Sequence, residues 1–222
     1  MGEFLMSLEM QLSGFLFLLI IVILIICDIL GHGTISDLNS EAKFQKINEN
    51  PKKFTISFVL LVLEHICIIF LVVMLFIAFS PFNVLLGLIW VTFRITESSI
   101  QIYDKKNYWR LLNIATQYTD ASGAEKNEFI ASGRSILKKK ITIFSFAQIL
   151  FSIGTLTYSI LFVTYEAVPV LIGWFGIVVS IVYGFGSGIM LVKPNFKALG
   201  NVGGLLVFIF ELVLGGWLLF FS

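Results

Sequence analysis

Trp90-Val91-Thr92-Phe93-Arg94-Ile95-Thr96-Glu97-Ser98-Ser99-Ile100-Gln101 is an apolar stretch with a guanidinium inside it. Arg94 is the only one of the fifteen Lys and Arg residues that falls within an apolar run. If that run crosses a bilayer, an unpaired cation in it costs several kcal/mol. Something else in the chain must answer the charge.

The surrounding composition is that of a membrane protein. Of 222 residues 58% are hydrophobic and 13% charged, and Phe occurs 23 times, far above soluble usage. Six runs are long enough to cross a hydrocarbon core of about 30 Å: residues 12–30, 54–80, 84–103, 141–164, 170–192 and 202–221. Residues 1–11 carry no Lys or Arg, so the positive start of a signal peptide is missing and the first run is expected to stay in the mature protein. The expected fold is all-α, a single-domain integral membrane bundle of six transmembrane helices with short helical cytoplasmic loops. No basic groove interleaved with aromatics points to nucleic acid. Cys27 and Cys67 both lie in apolar runs and read as small core residues rather than a disulfide framework.

The connections are of two kinds. Ser80-Pro81-Phe82-Asn83 and Tyr165-Glu166-Ala167-Val168-Pro169 are short, hold a proline that stops a helix, and carry no basic residue. Residues 31–53, 104–140 and 193–201 hold every Lys and Arg other than Arg94. The positive-inside rule makes those three loops cytoplasmic and both termini extracytoplasmic, in a multi-pass protein of the cell membrane. The first of them reads as a short helix with Ser36 or Asp37 as N-cap and Asn50-Pro51 as its stop. Residues 107–118 are apolar enough to rest in the interface as an amphipathic connector, or to offer a cytoplasmic partner a docking site within residues 104–140.

Helical spacing then says which residues share a face. Arg94, Glu97, Ser98 and Gln101 fall at i, i+3, i+4 and i+7 of the third span. Thr142, Ser145, Gln148, Ser152, Thr155 and Ser159 form a hydroxyl and amide seam along the fourth, suited to interhelical hydrogen bonds. Gly176, Ser180, Gly184 and Gly188 recur every four residues on the fifth, a small-xxx-small stripe that serves packing inside the bundle or a homo-oligomer face. On the sixth, Glu211 shares its face with Gly204 and Gly215 and should point into the bundle.

Depth can be estimated from the rise of a helix. Glu64 and Glu211 lie roughly 15 Å above the basic ends of their spans, Arg94 roughly 12–14 Å and Glu97 roughly 8–9 Å. The candidate ligand, proton or cation site is therefore Glu64, His65, Arg94, Glu97 and Glu211, lined by Ser98, Gln148, Ser152 and Thr155. His65 is turned about 100° from Glu64, so sequence leaves open whether it joins the layer. Arg94 with Glu97 is the expected intrahelical pair, and Glu64 and Glu211 the proton or cation carriers. Three carboxylates against one guanidinium leave two negative charges in a low dielectric, so carboxyls must take up protons unless His65 or a bound cation compensates.

Two functions follow from different classes. Intramembrane ionisable groups serve transporters and relays, which reads as a small-solute or ion/proton-linked transport protein. The same groups can instead fix helix register in a non-catalytic membrane subunit or assembly factor. Enzyme signals are weak: there are two histidines, His32 and His65, and no HExxH, nucleophile elbow or phosphate-cradling loop. A metal at Glu64, His65 and Glu211 is less expected than a hydrogen-bonded core histidine. No substrate or cofactor follows from the residues.

Pro169 to Val178, the glycines that follow, and Asn201-Val202-Gly203-Gly204 through Phe210-Glu211-Leu212-Val213-Leu214-Gly215-Gly216-Trp217 resemble the domain of unknown function 4386 family of small polytopic prokaryotic membrane proteins. Phe93-Arg94-Ile95-Thr96-Glu97 is similar to that family's arginine-to-acid motif in its third span. The resemblance implies an architecture over nearly the whole chain and no activity.

Overall fold

A computed structural model describes the backbone of residues 2–31, 39–194, 196 and 198–222, and side chains from Leu8 onward. The described chain is helical: α1 Gly2–Ile29, α2 Ser40–Glu49, α3 Pro51–Phe79, α4 Val84–Asp120, α5 Gly123–Tyr165, α6 Val170–Val192 and α7 Ala198–Phe220. Five of these, α1, α3, α5, α6 and α7, are long and apolar enough to cross a membrane. The sixth expected span lies in α4, whose apolar character Arg94, Glu97, Ser98 and Gln101 dilute.

Local chemistry sets the boundaries. Asn50 caps α3 by accepting from Lys53 N, with Pro51 in the first turn where its missing N–H costs nothing. Asn83 does the same for α4 through Leu86 N. Glu166 ends α5 in the left-handed region at φ 50°, its N–H bonded to Phe162 O. The cap expected at Ser36 or Asp37 lies outside the described residues; Asn39 caps α2 by accepting from Ala42 N.

Residues 104–140 differ from the loop that was expected. α4 runs unbroken past Tyr103 to Asp120, and α5 begins after a two-residue turn. The segment expected to rest in the interface packs on protein instead: Tyr108, Leu111, Ala115 and Tyr118 are buried against Phe44 and Ile47 of α2 and Ile136 and Leu137 of α5. Their spacing of three and four residues continues the inward face of α4, so burying them extends the helix rather than ending it. Asn48 Nδ2 ties α2 down by donating to Ala115 O at 2.6 Å and Thr119 Oγ1 at 2.8 Å, and Tyr118 OH donates to Glu41 at 2.7 Å.

The six long helices close into a ring in the order α1, α3, α4, α5, α6, α7 and back to α1. α1 and α7 meet backbone to backbone: a Cβ on Gly14 would lie 2.6 Å from Gly215 O. Opposite the basic end, the ring is filled by Leu75, Phe79, Trp90, Phe162, Phe210 and Leu218. At the basic end α2 covers the side formed by α3, α4 and α5. The layer that holds Arg94 lies between the apolar core and the level of α2.

Candidate functional site

Arg94 is 4% exposed and Glu97 2% exposed, and the guanidinium donates from Nη1 to Glu97 Oε2 at 3.1 Å. One helical turn places the two side by side, as their i, i+3 spacing requires. Ser98 Oγ donates to the same carboxylate oxygen at 3.4 Å. α5 completes the socket: the Phe151 ring centroid lies 4.3 Å from Arg94 Cζ, and the arginine stem crosses Gly154.

On α3, His65 joins the layer. Its Nδ1 lies 2.7 Å from Leu61 O and also meets Glu64 Oε2. Carbonyl and carboxylate oxygens both accept, so Nδ1 carries the proton whichever of the two it meets, and Glu64 Oε2 has no hydrogen-bond partner besides this contact among the described residues. Glu211, on α7, is only partly buried, and among the described residues it has neither ion pair nor hydrogen bond. Glu211 borders the same cavity as Arg94, Glu64 and Glu97.

These groups surround one cavity of about 310 Å³ whose wall takes residues from all six long helices, among them Leu24, Glu64, Arg94, Gln148, Tyr183 and Glu211. It is open rather than sealed. The apolar core lies at its far end, and Leu24, Phe144 and Phe208 of its wall are also exposed on the outside of the bundle. Among the expected lining residues, Gln148 borders the cavity and Ser98 holds Glu97. Ser152 turns toward Gly184 of α6 and donates to Gln148 O at 2.8 Å, while Thr155 is buried outside the cavity wall.

Among the wall residues that escaped the sequence reading, two extend the polar face of α4. Lys105 and Tyr108 line the cavity, and Lys105 is 8% exposed with its Nζ 5.1 Å from the Tyr108 ring centroid. Burial pushes the Lys105 ammonium below the usual lysine range, against the pull of Glu64, Asp104 and Glu97. The signal that finds them is Arg94, Gln101, Lys105 and Tyr108 at i, i+7, i+11 and i+14, one face continued beyond the expected end of the span. With Lys105 counted, three carboxylates share the cavity wall with Arg94, Lys105 and His65, so the charge of the wall depends on how many of these groups hold a proton.

Tyr108 joins this cavity to a second polar group. Lys140 Nζ lies 3.3 Å from Asp104 Oδ2 and 3.4 Å from the Tyr108 ring centroid, and Asn107 Nδ2 donates to Asp104 Oδ1 at 2.5 Å. Among the described residues no three His, Cys, Asp or Glu side chains gather as a metal ion would require. His65 meets Glu64 and makes no ion pair with Glu211.

Neither the curated proteins nor the solved structures include a match to this chain. A family described as a domain of unknown function, DUF4386, matches residues 12–221. The match spans all six long helices and the charged layer between them, and the chain belongs to the domain of unknown function 4386 family.

Proposed function

We propose that the protein carries a small solute or ion across the cell membrane with proton linkage, through the cavity bounded by Glu64, His65, Arg94, Glu97, Lys105 and Glu211. One observation carries the reading: a cavity walled by all six long helices gathers Glu64, Glu97 and Glu211 with Arg94, His65 and Lys105. Such a layer changes charge when a proton or a cation arrives, which couples occupancy to protonation. Glu211 is the acceptor, because Glu97 is held by Arg94 and Glu64 by His65. In this reading the cavity opens toward the basic end, which by the positive-inside rule faces the cytoplasm, with both termini outside.

The test is proton flux in proteoliposomes under an imposed potential. Glu211→Gln and Glu64→Gln should each lower it at least about tenfold, the scale on which one positioned proton carrier acts. Flux equal to wild type in both variants removes the proposal.

The α4–α5 hairpin with α2 favours a second reading, a membrane subunit that docks a cytoplasmic partner on residues 104–140. Trp109, 53% exposed on that hairpin, is the apolar anchor such a partner would cover. Under this reading Trp109→Ala releases a co-purifying protein and leaves proton flux unaltered.

A further inference from the structure

We propose that the groove between α5 and α6 holds an acyl chain of an anionic phospholipid from the leaflet at the basic end, with the lipid phosphate on Lys193. The groove has a volume of about 740 Å³, and Ile149, Ile153 and Leu156 of α5 face Ile181, Phe185 and Ile189 of α6 across it. Its walls are almost wholly apolar. Glycine makes the space: Gly184 lies against Ser152, and nothing occupies the place of a side chain at Gly188. The upper part of the small-residue stripe is used inside the bundle, where Gly176 meets Ser159 and Phe210. Its lower end is thus left for something outside the chain.

Length identifies the occupant. From Ile181 to Val192 the groove runs about 16 Å at the rise of an α-helix. One leaflet of a hydrocarbon core is about 15 Å deep. A membrane helix of a second copy must cross both leaflets and would seat only half its length, whereas an acyl chain matches the depth. Charge identifies the headgroup. Lys193 stands exposed at the basic end of the groove beside Phe196, and no carboxylate pairs with it among the described residues. A lysine at that level attracts anionic headgroups. The inference does not depend on transport.

The protein is reconstituted in vesicles of phosphatidylcholine and phosphatidylglycerol in equal parts, extracted in mild detergent, and weighed by native mass spectrometry. Wild type should retain one phosphatidylglycerol, preferred over phosphatidylcholine by about fivefold, the worth of one lysine near a membrane surface. Gly188→Leu should lose the lipid. Lys193→Gln should keep a lipid and lose the preference. Gly216→Leu, at a glycine on α7 that also faces open space, should behave as wild type and so controls for folding. The proposal is overturned by equal retention of both lipids in wild type, by a lipid that survives Gly188→Leu, by its loss from Gly216→Leu as well, or by a dimer that Gly188→Leu disperses.

Discussion

The stem of Arg94 occupies the place where Gly154 would carry a side chain: a Cβ there would lie 2.9 Å from Arg94 Cγ and 3.1 Å from Cδ. A glycine on α5 is therefore what lets an arginine on α4 lie flat against its neighbour and reach Glu97. Adding a methyl group should displace the stem and cost about 1–3 kcal/mol, as overpacking does. The control is Gly216→Ala, where nothing lies within 4 Å of the new Cβ. That change should be neutral or slightly stabilising, by up to about 1 kcal/mol from helix propensity. Unfolding midpoints of the two variants in the same detergent check the contrast in sign.

Arg94 and Glu97 are buried together, so removing one strands the other. Arg94→Met should cost about 3–5 kcal/mol, much of it the penalty of an uncompensated carboxylate. Replacing both, as Arg94→Met with Glu97→Leu, should recover most of that loss. Denaturant unfolding of the single and double variants measures the coupling, and additive losses would mean that the pair is not a unit.

Lys105 makes alkaline stability a readout of its burial. Its pKa lies below the usual 10.5, so the folded chain releases this proton before the unfolded chain does. Below the lowered pKa both states are protonated, and the cost of burying the ammonium is fully present. Between the lowered pKa and 10.5 the unfolded state binds more protons, so stability rises with pH relative to a variant without the group. Wild type should gain on Lys105→Met as pH is raised through that window. A constant difference between their unfolding midpoints across it would contradict the burial.

Much of this arrangement is legible in the residues. Apolar run length marks the spans, and the spacing of Arg94 and Glu97 shows that one face of α4 must hold both. What escaped did so for physical reasons. The chain has basic residues at 105 and 106, which read as the water end of a span, yet α4 continues because Tyr108, Leu111, Ala115 and Tyr118 keep burying the same face on α2 and α5. Lys105 was thereby counted with the loops. Ser152 and Thr155 follow Gln148 at i+4 and i+7 of α5, yet Gln148 borders the cavity while Ser152 meets Gly184 of α6, a difference set by the neighbouring helix and not by spacing along α5. Gly154 gave no signal because its role depends on a side chain from another helix.

The proposed transport requires that water reach the charged layer from the basic end and not from the opposite face. Cys27 and Cys67 are unpaired, so replacing both with alanine gives a background free of native thiols. Glu211→Cys in that background, in sealed vesicles of known orientation, is then treated with a membrane-impermeant thiosulfonate from either side. Labelling should be rapid from the basic face, slowed by Gln148→Trp in the cavity wall, and absent from the opposite face. A thiol at position 211 that reacts from neither face would contradict the claim.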